Sequence, residues 1–210
     1  MVNETLAQEL SGVTKLNLGC GGDFVKGWLN VALFSNDEFT LGKVKKDDRG
    51  DILNFDLTQT LPLKESSLEY IHSSHFIEHI TFDEGRKLLT HCYKWLKLRG
   101  VIRLSFPDLE LWVSNYHNNK IEFFEQYKKC FLGGNSSLQV TKGEIFMSQV
   151  HGHGHRWNYD FESINHVLSE IGFSQIEKKK HWDSQISEIR EIEPGDPSRT
   201  METCYVEAIK

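Results

Sequence analysis

An apolar strand runs straight into closely spaced glycines at Lys15-Leu16-Asn17-Leu18-Gly19-Cys20-Gly21-Gly22, and this stretch restricts what the chain can become more than any other. Glycine is favoured where the main chain takes positive φ or lies against a bound molecule, and a strand opening into such a turn is how many α/β proteins hold nucleotide-like ligands. A short G-x-G spacing also serves ordinary tight turns, so the motif needs matching context downstream. Strand and helix patterns then alternate. Residues 15–18, 28–33, 51–55 and 67–72 read as strands, the third ending ahead of turn signals around Pro62. Ser73 and Ser74 offer an N-cap to a helix starting near His75. Residues 83–96 place Leu88, Leu89, Cys92, Tyr93 and Leu96 on one helical side, with Gly100 as the stop. Residues 101–106 form a further strand closed by Pro107. The alternation predicts a doubly wound, mostly parallel α/β sheet covered on both faces, with ligands beyond the carboxyl ends of the strands, where the glycines lie.

From residue 109 to 150 the pattern changes to aromatic, amphiphilic helices carrying Trp112, Tyr116, Phe123, Phe124 and Tyr127, followed by a Gly-Gly-Asn-Ser-Ser loop around residue 135. This reads as a helical cap inserted at about 109–155 into a single domain spanning 1–210, its aromatic spacing suiting a core face. A helix over 160–172 capped by Gly172, a strand over 173–178 and a last strand over 203–209 complete the chain. The run Lys178-Lys179-Lys180 reads as a solvated strand end. At 210 residues and 39% hydrophobic, the chain can bury one sizeable core. A formal charge of −6 speaks against a generic grip on nucleic-acid phosphates. Cys20, Cys92, Cys130 and Cys204 form no C-x-x-C pair, which suits reduced thiols in a cytoplasm. Residues 1–12 are polar and carry Glu4 and Glu9, unlike a signal peptide, and no apolar run reaches membrane-spanning length. The expected partner is a small-molecule acceptor, with no nucleic acid and no membrane, and a homodimer is the candidate assembly.

Several ordered motifs together resemble one family. They are Leu16-Asn17-Leu18-Gly19-Cys20-Gly21, Gly27-Trp28-Leu29-Asn30-Val31, Asp56-Leu57 with Leu61-Pro62-Leu63, Ser73-Ser74-His75 with Glu78-His79, and Val101-Ile102-Arg103-Leu104 before Pro107-Asp108-Leu109. The chain is similar to the class I S-adenosylmethionine-dependent methyltransferases, and more narrowly to a small bacterial group associated with surface-polysaccharide and other tailoring pathways. The resemblance covers residues 14–109 and resumes at His155-Arg156-Trp157-Asn158-Tyr159-Asp160, Gly172-Phe173 and Tyr205-Val206-Glu207-Ala208. It implies a Rossmann-like sheet with a reversed last strand and S-adenosylmethionine as cofactor, leaving S-adenosylhomocysteine as product. It further implies that Gly19, Cys20, Gly21 and Gly22 pass under the methionine and ribose, that Asp56 and Leu57 meet the adenine, and that Ser73, Ser74 and His75 border the sulfonium. The implied reaction is methyl transfer to an oxygen or nitrogen of a small polar metabolite, sugar- or phosphate-bearing. Two positions depart from the pattern. Ala32 stands where an acid usually holds the ribose hydroxyls, a loss of about 1.5–3 kcal/mol unless Asp37 or Glu38 substitutes. Asn17 stands where the wider class often has an acid. A non-catalytic S-adenosylmethionine-binding module is therefore the alternative.

The histidines admit other readings. His75-Phe76-Ile77-Glu78-His79 spells H-x-x-E-H, which binds zinc in one class of metallopeptidases given a long helix and a third ligand downstream, whereas here it follows a predicted strand among the methyltransferase motifs. His151-Gly152-His153-Gly154-His155 would align its imidazoles on an extended segment, as a metal or an anionic substrate requires, yet it also reads as a mobile loop fixed at His155 and Arg156. The expectation is no bound metal. His75, His79 and His155 are candidate bases, Arg156 a partner for an acceptor anion or for Asp160, and Tyr159 and Tyr116 candidate walls of the acceptor pocket.

Overall fold

Polar and apolar residues alternate along the central strands, and the two sets end on opposite faces of one eight-stranded sheet. The computed structural model describes residues 2–133, 140–193 and 195–210, so the loop predicted around residue 135 lies outside it. In chain order, α1 (Val2–Glu9) precedes β1 (Lys15–Leu18), β2 (Leu29–Ala32), β3 (Val44–Asp47), β4 (Gly50–Asn54) and β5 (Leu68–Ser74). Next come α2 (Phe82–Trp95), β6 (Leu96–Pro107), α3 (Leu109–His117), α4 (Ile121–Phe131) and α5 (Lys142–His151). The chain ends with α6 (Phe161–Ile171), β7 (Ser174–Lys179), the short α7 (Ile189–Ile192) and α8 (Pro197–Thr200), and β8 (Thr203–Ile209). The sheet order is β3-β4-β2-β1-β5-β6-β8-β7, with β4, β2, β1, β5 and β6 parallel and β8 reversed against β6. The predicted Rossmann-like, mostly parallel sheet with a reversed last strand is therefore present. Among the described residues no helix is long and apolar enough to cross a membrane.

Three local readings need correction. The helix expected to begin near His75 does not: Ser73 and Ser74 belong to β5, His75 takes φ +48°, and only a 3₁₀ turn follows at Ile77–His79. The helix starts at Phe82, where Thr81 and Glu84 cap each other's backbone amides in a reciprocal box. Gly100 does not stop α2, which ends at Trp95. It lies inside β6, where a Cβ would come 2.9 Å from the Lys97 carbonyl oxygen. The β1–β2 connection is turns rather than a helix, and β3, a charged edge strand antiparallel to β4, has no apolar periodicity to announce it.

One face carries the main core, where Leu6 of α1, Leu10 just after it, Leu88 and Leu89 of α2 and Ile164 and Leu168 of α6 pack on Leu16, Leu18, Val31, Ile102, Leu104 and Val206. The opposite face is polar and equally buried. Asn30, Asn17, His72, Arg103 and Glu207 stand in register across β2, β1, β5, β6 and β8, each no more than 3% exposed. Asn17 donates to Asn30 at 3.1 Å and its carbonyl oxygen meets His72 Nδ1 at 3.0 Å; His72 Nε2 lies 3.5 Å from Glu193 Oε1. Arg103 grips Glu193 with two bonds of 2.8 and 2.9 Å, lies 3.4 Å from Glu207, and donates to the carbonyls of Asp183 and Lys180. This row fastens residues 180–193, whose one helix is the short α7, over the sheet, with Ile186 and Ile192 packed against Val25, Trp28 and Val101.

Burial alone would raise the Glu193 carboxyl, but its bonds from His72 and Arg103 outweigh burial and hold it at about 2, against 4.5 for an ordinary glutamate. The stability it contributes is complete above pH 4.5 and is lost as pH falls toward 2, roughly 3 kcal/mol at about 1.4 kcal/mol per unit. Urea midpoints should therefore fall more steeply between pH 4.5 and 3 in the wild type than in Glu193→Gln. Parallel curves would show that Glu193 carries none of this dependence.

Candidate active site

The carboxyl end of β1 becomes the floor of a cavity of about 330 Å³. Gly19 and Gly21 take φ of +66° and +53°, which a side chain at either position would resist. A Cβ on Gly19 would overlap the Phe76 ring, whereas Gly21 and Gly22 have open space where a Cβ would stand. The turn is held from below by Asn17, whose amide donates to the Asp23 carbonyl at 3.0 Å. Burial pushes the Cys20 thiol up to about 12, so Cys20 lines the floor without being a nucleophile at neutral pH.

The facing wall comes from the ends of β5 and β6, the 3₁₀ turn, α4, the segment after α5 and the start of β8: Ser74, His75, Glu78, His79, Tyr127, His153, His155 and Glu202 line it. His75 is held through Nε2, 2.9 Å from Thr203 Oγ1, and its Nδ1 lies 3.4 Å from Glu78 Oε1. Burial opposes its protonation, but the Glu78 carboxylate outweighs burial and raises its pKa. His155 Nδ1 lies 2.6 Å from the Gln149 carbonyl oxygen and so donates to it, leaving Nε2 as an acceptor; burial lowers its pKa and keeps it neutral. Glu202 is 4% exposed, accepts from Trp112 Nε1 at 2.9 Å and is pushed up to about 7 by burial. At neutral pH it is about half ionised and able to exchange a proton.

The cavity thus unites Gly19, Cys20, Gly21, Gly22, Ser74, His75, His79 and His155 from the predicted set. Other candidates are elsewhere. Leu57 is in the core and Ser73 is buried within β5. The Asp56 carboxylate is turned back to accept from the Thr58 amide and hydroxyl. Arg156 points outward, 3.7 Å from Glu84, while Asp160 instead caps α6 through Ser163. Tyr159 is 1% exposed against Phe106, its hydroxyl close over Gly85. Tyr116 packs on Phe124 and Phe146, outside the cavity. Glu38, one proposed substitute for the acid missing at Ala32, is engaged by Lys45 and Arg49. The H-x-x-E-H pentapeptide is not α-helical, so His75 and His79 do not form the paired ligands of a metallopeptidase. Nor do the three later histidines align: His151 ends α5 exposed, and His153 sits in a kink at φ +55° with Nε2 3.2 Å from the Tyr127 hydroxyl.

Sequence reasoning missed Asp23, Arg199 and Glu202. Asp23 and Arg199 pair at 2.6 Å across the cavity mouth, joining the glycine turn to α8. Residues 180–202 have no apolar period to place them, so only the tertiary structure could reveal Arg199 and Glu202 as neighbours of the site.

No protein-family model and no curated protein matches the sequence. The fold matches solved structures. An S-adenosylmethionine-dependent methyltransferase from Archaeoglobus fulgidus aligns over 99% of this chain and 94% of its own, at 17% identity and a TM-score of 0.52. A methyltransferase of the same dependence from Thermotoga maritima aligns over 100% and 87%, at 17% identity and a TM-score of 0.51. A phosphoethanolamine N-methyltransferase from Haemonchus contortus, solved with phosphomonomethylethanolamine and S-adenosylhomocysteine, aligns at 14% identity and a TM-score of 0.55; it covers 99% of this chain, which spans only 52% of that one.

Proposed function

We propose that the chain is an S-adenosylmethionine-dependent methyltransferase acting on an oxygen or nitrogen of a small polar metabolite, sugar- or phosphate-bearing, in the cytoplasm. The observation that carries this reading is the glycine turn at the end of β1. Over Gly21 and Gly22 the main chain faces open cavity, and a Cβ would stand in that space. The fold shared with solved methyltransferases and the ordered motifs of residues 14–109 support the same cofactor. Bound there, the cofactor supplies an electrophilic methyl group.

The protein's own part is to position the acceptor and receive its proton. Ser74, on the wall opposite the glycines, accepts from Ser105 at 2.9 Å and so holds a fixed orientation at the β5 end. Glu202, half ionised near neutrality and shielded from water, takes the acceptor proton. His75, held through Nε2 by Thr203, keeps its Nδ1 facing Glu78 without bonding it. The tailoring group that the sequence resembles supports a sugar-bearing acceptor.

Calorimetric titration with S-adenosylmethionine and S-adenosylhomocysteine should show one site on the full chain. Affinity should be tenfold to a hundredfold weaker than an acid at position 32 would allow, since one missing charged hydrogen bond costs about 1.5–3 kcal/mol. Absence of heat with both ligands at millimolar concentration would remove the cofactor assignment. Binding without methyl transfer to any sugar or phosphate-bearing acceptor would favour the binding-module alternative.

A further inference from the structure

The structure brings together three potential metal ligands, two adjacent in the sequence and the third from a distant segment. Glu78 and His79 come from the 3₁₀ turn after β5 and His155 from the segment after α5, yet one ligand atom from each falls within 4.8 Å of the others. The His79 and His155 rings meet edge to face at 5.0 Å between centroids. All three line the cavity over the glycine turn. From these ligands we infer that the chain binds a divalent first-row transition ion through Glu78, His79 and His155.

Two observations separate this cluster from a chance gathering. Glu78 is 1% exposed and neither of its carboxylate oxygens accepts a hydrogen bond, although its Oε1 lies 3.4 Å from His75 Nδ1. Buried carboxylates are ordinarily satisfied, and a cation at the cavity wall would satisfy this one. His155, in turn, spends Nδ1 on the Gln149 carbonyl, which leaves Nε2 as the ring nitrogen for a cation. A ligating histidine is held in this way, its other ring N–H fixed by a carbonyl or carboxylate.

The two ligand segments are also pre-joined, because the amides of Arg156 and Trp157 donate to the Glu78 carbonyl at 2.7 and 3.2 Å. In a tetrahedral site with bonds of about 2.1 Å the ligand atoms stand about 3.4 Å apart, so atoms that now lie within 4.8 Å of one another would close by up to about 1.4 Å on binding. Two imidazoles and one carboxylate suit zinc, iron or nickel rather than calcium or magnesium. The remaining coordination positions face the cavity. The site is defined by the chain's own ligands and stands whether or not the chain transfers methyl groups.

Equilibrium dialysis of the full chain against zinc should give one bound ion per chain, retained in His151→Ala, whose exposed imidazole lies outside the cluster. His79→Ala and His155→Ala should each weaken binding at least tenfold, with circular dichroism confirming that they fold; Glu78→Gln adds a third test of the same kind. No stoichiometric zinc on the wild type would overturn the inference. So would equal loss in His151→Ala and His155→Ala, which would mark a histidine-rich surface chelating nonspecifically. Because zinc is measured without S-adenosylmethionine, failure here leaves the calorimetric test of the cofactor intact.

Discussion

Replacing Arg103 with alanine should destabilise the protein by about 3–5 kcal/mol, because it strips the cation from two carboxylates that stay buried. Arg103 is 0% exposed, Glu193 and Glu207 no more than 3%, and their pairing lies between the sheet and the segment 180–193. In a chain of this length the melting temperature should fall on the order of 10 °C. The loss should not be uniform. Arg103 also donates to the Asp183 and Lys180 carbonyls, so amide exchange should accelerate first in 180–193 while α2 and α6, on the far face, keep their protection. A double variant, Arg103→Ala with Glu193→Ala, should cost less than the sum of the two single changes, since the second removes one stranded charge. Additive losses, or a melting temperature unchanged in Arg103→Ala, would show that the row is not an energetic unit.

The sequence made the sheet readable and left this row hidden for a definable reason. Local patterns report neighbours along the chain: the apolar runs of β1, β5 and β6, the amphipathic α2 and α6, and the glycine turn all carry their own signals. Asn17, Asn30, His72, Arg103 and Glu207 become neighbours only through strand register, each coming from a different strand. The same limit explains Ser73 and Ser74, which look like a helix cap but pair with β1 and β6 instead. It explains Glu202 and Arg199 too, since Arg199 is placed by donating to Asp23 and Glu202 by accepting from Trp112 rather than by any period of their own segment. Asn17, a departure from the acid usual in the wider class, proves to brace the glycine turn, because its amide reaches both Asn30 and the Asp23 carbonyl. A carboxylate there would lack the donor that both contacts need.

Substituting Gly21 should separate the turn's two duties, holding its own shape and admitting a ligand. Asparagine is among the few L residues that tolerate left-handed backbone, so Gly21→Asn can keep φ near +53°. No heavy atom lies within 4 Å of the position its Cβ would take, so the fold should lose about 1 kcal/mol or less. The side chain would instead project into the cavity over the glycines, and affinity for S-adenosylhomocysteine should fall about a hundredfold or more, equivalent to about 2.7 kcal/mol. Gly19→Ala should behave in the opposite way. Its φ of +66° and its overlap with the Phe76 ring place the penalty on folding, about 1–3 kcal/mol, and removing that ring in Gly19→Ala/Phe76→Ala should recover part of it. Measured together, melting curves and calorimetry should thus show Gly21→Asn stable but unable to bind, and Gly19→Ala unstable. Wild-type affinity in Gly21→Asn would place the ligand away from this turn and leave the open cavity above it without its proposed occupant.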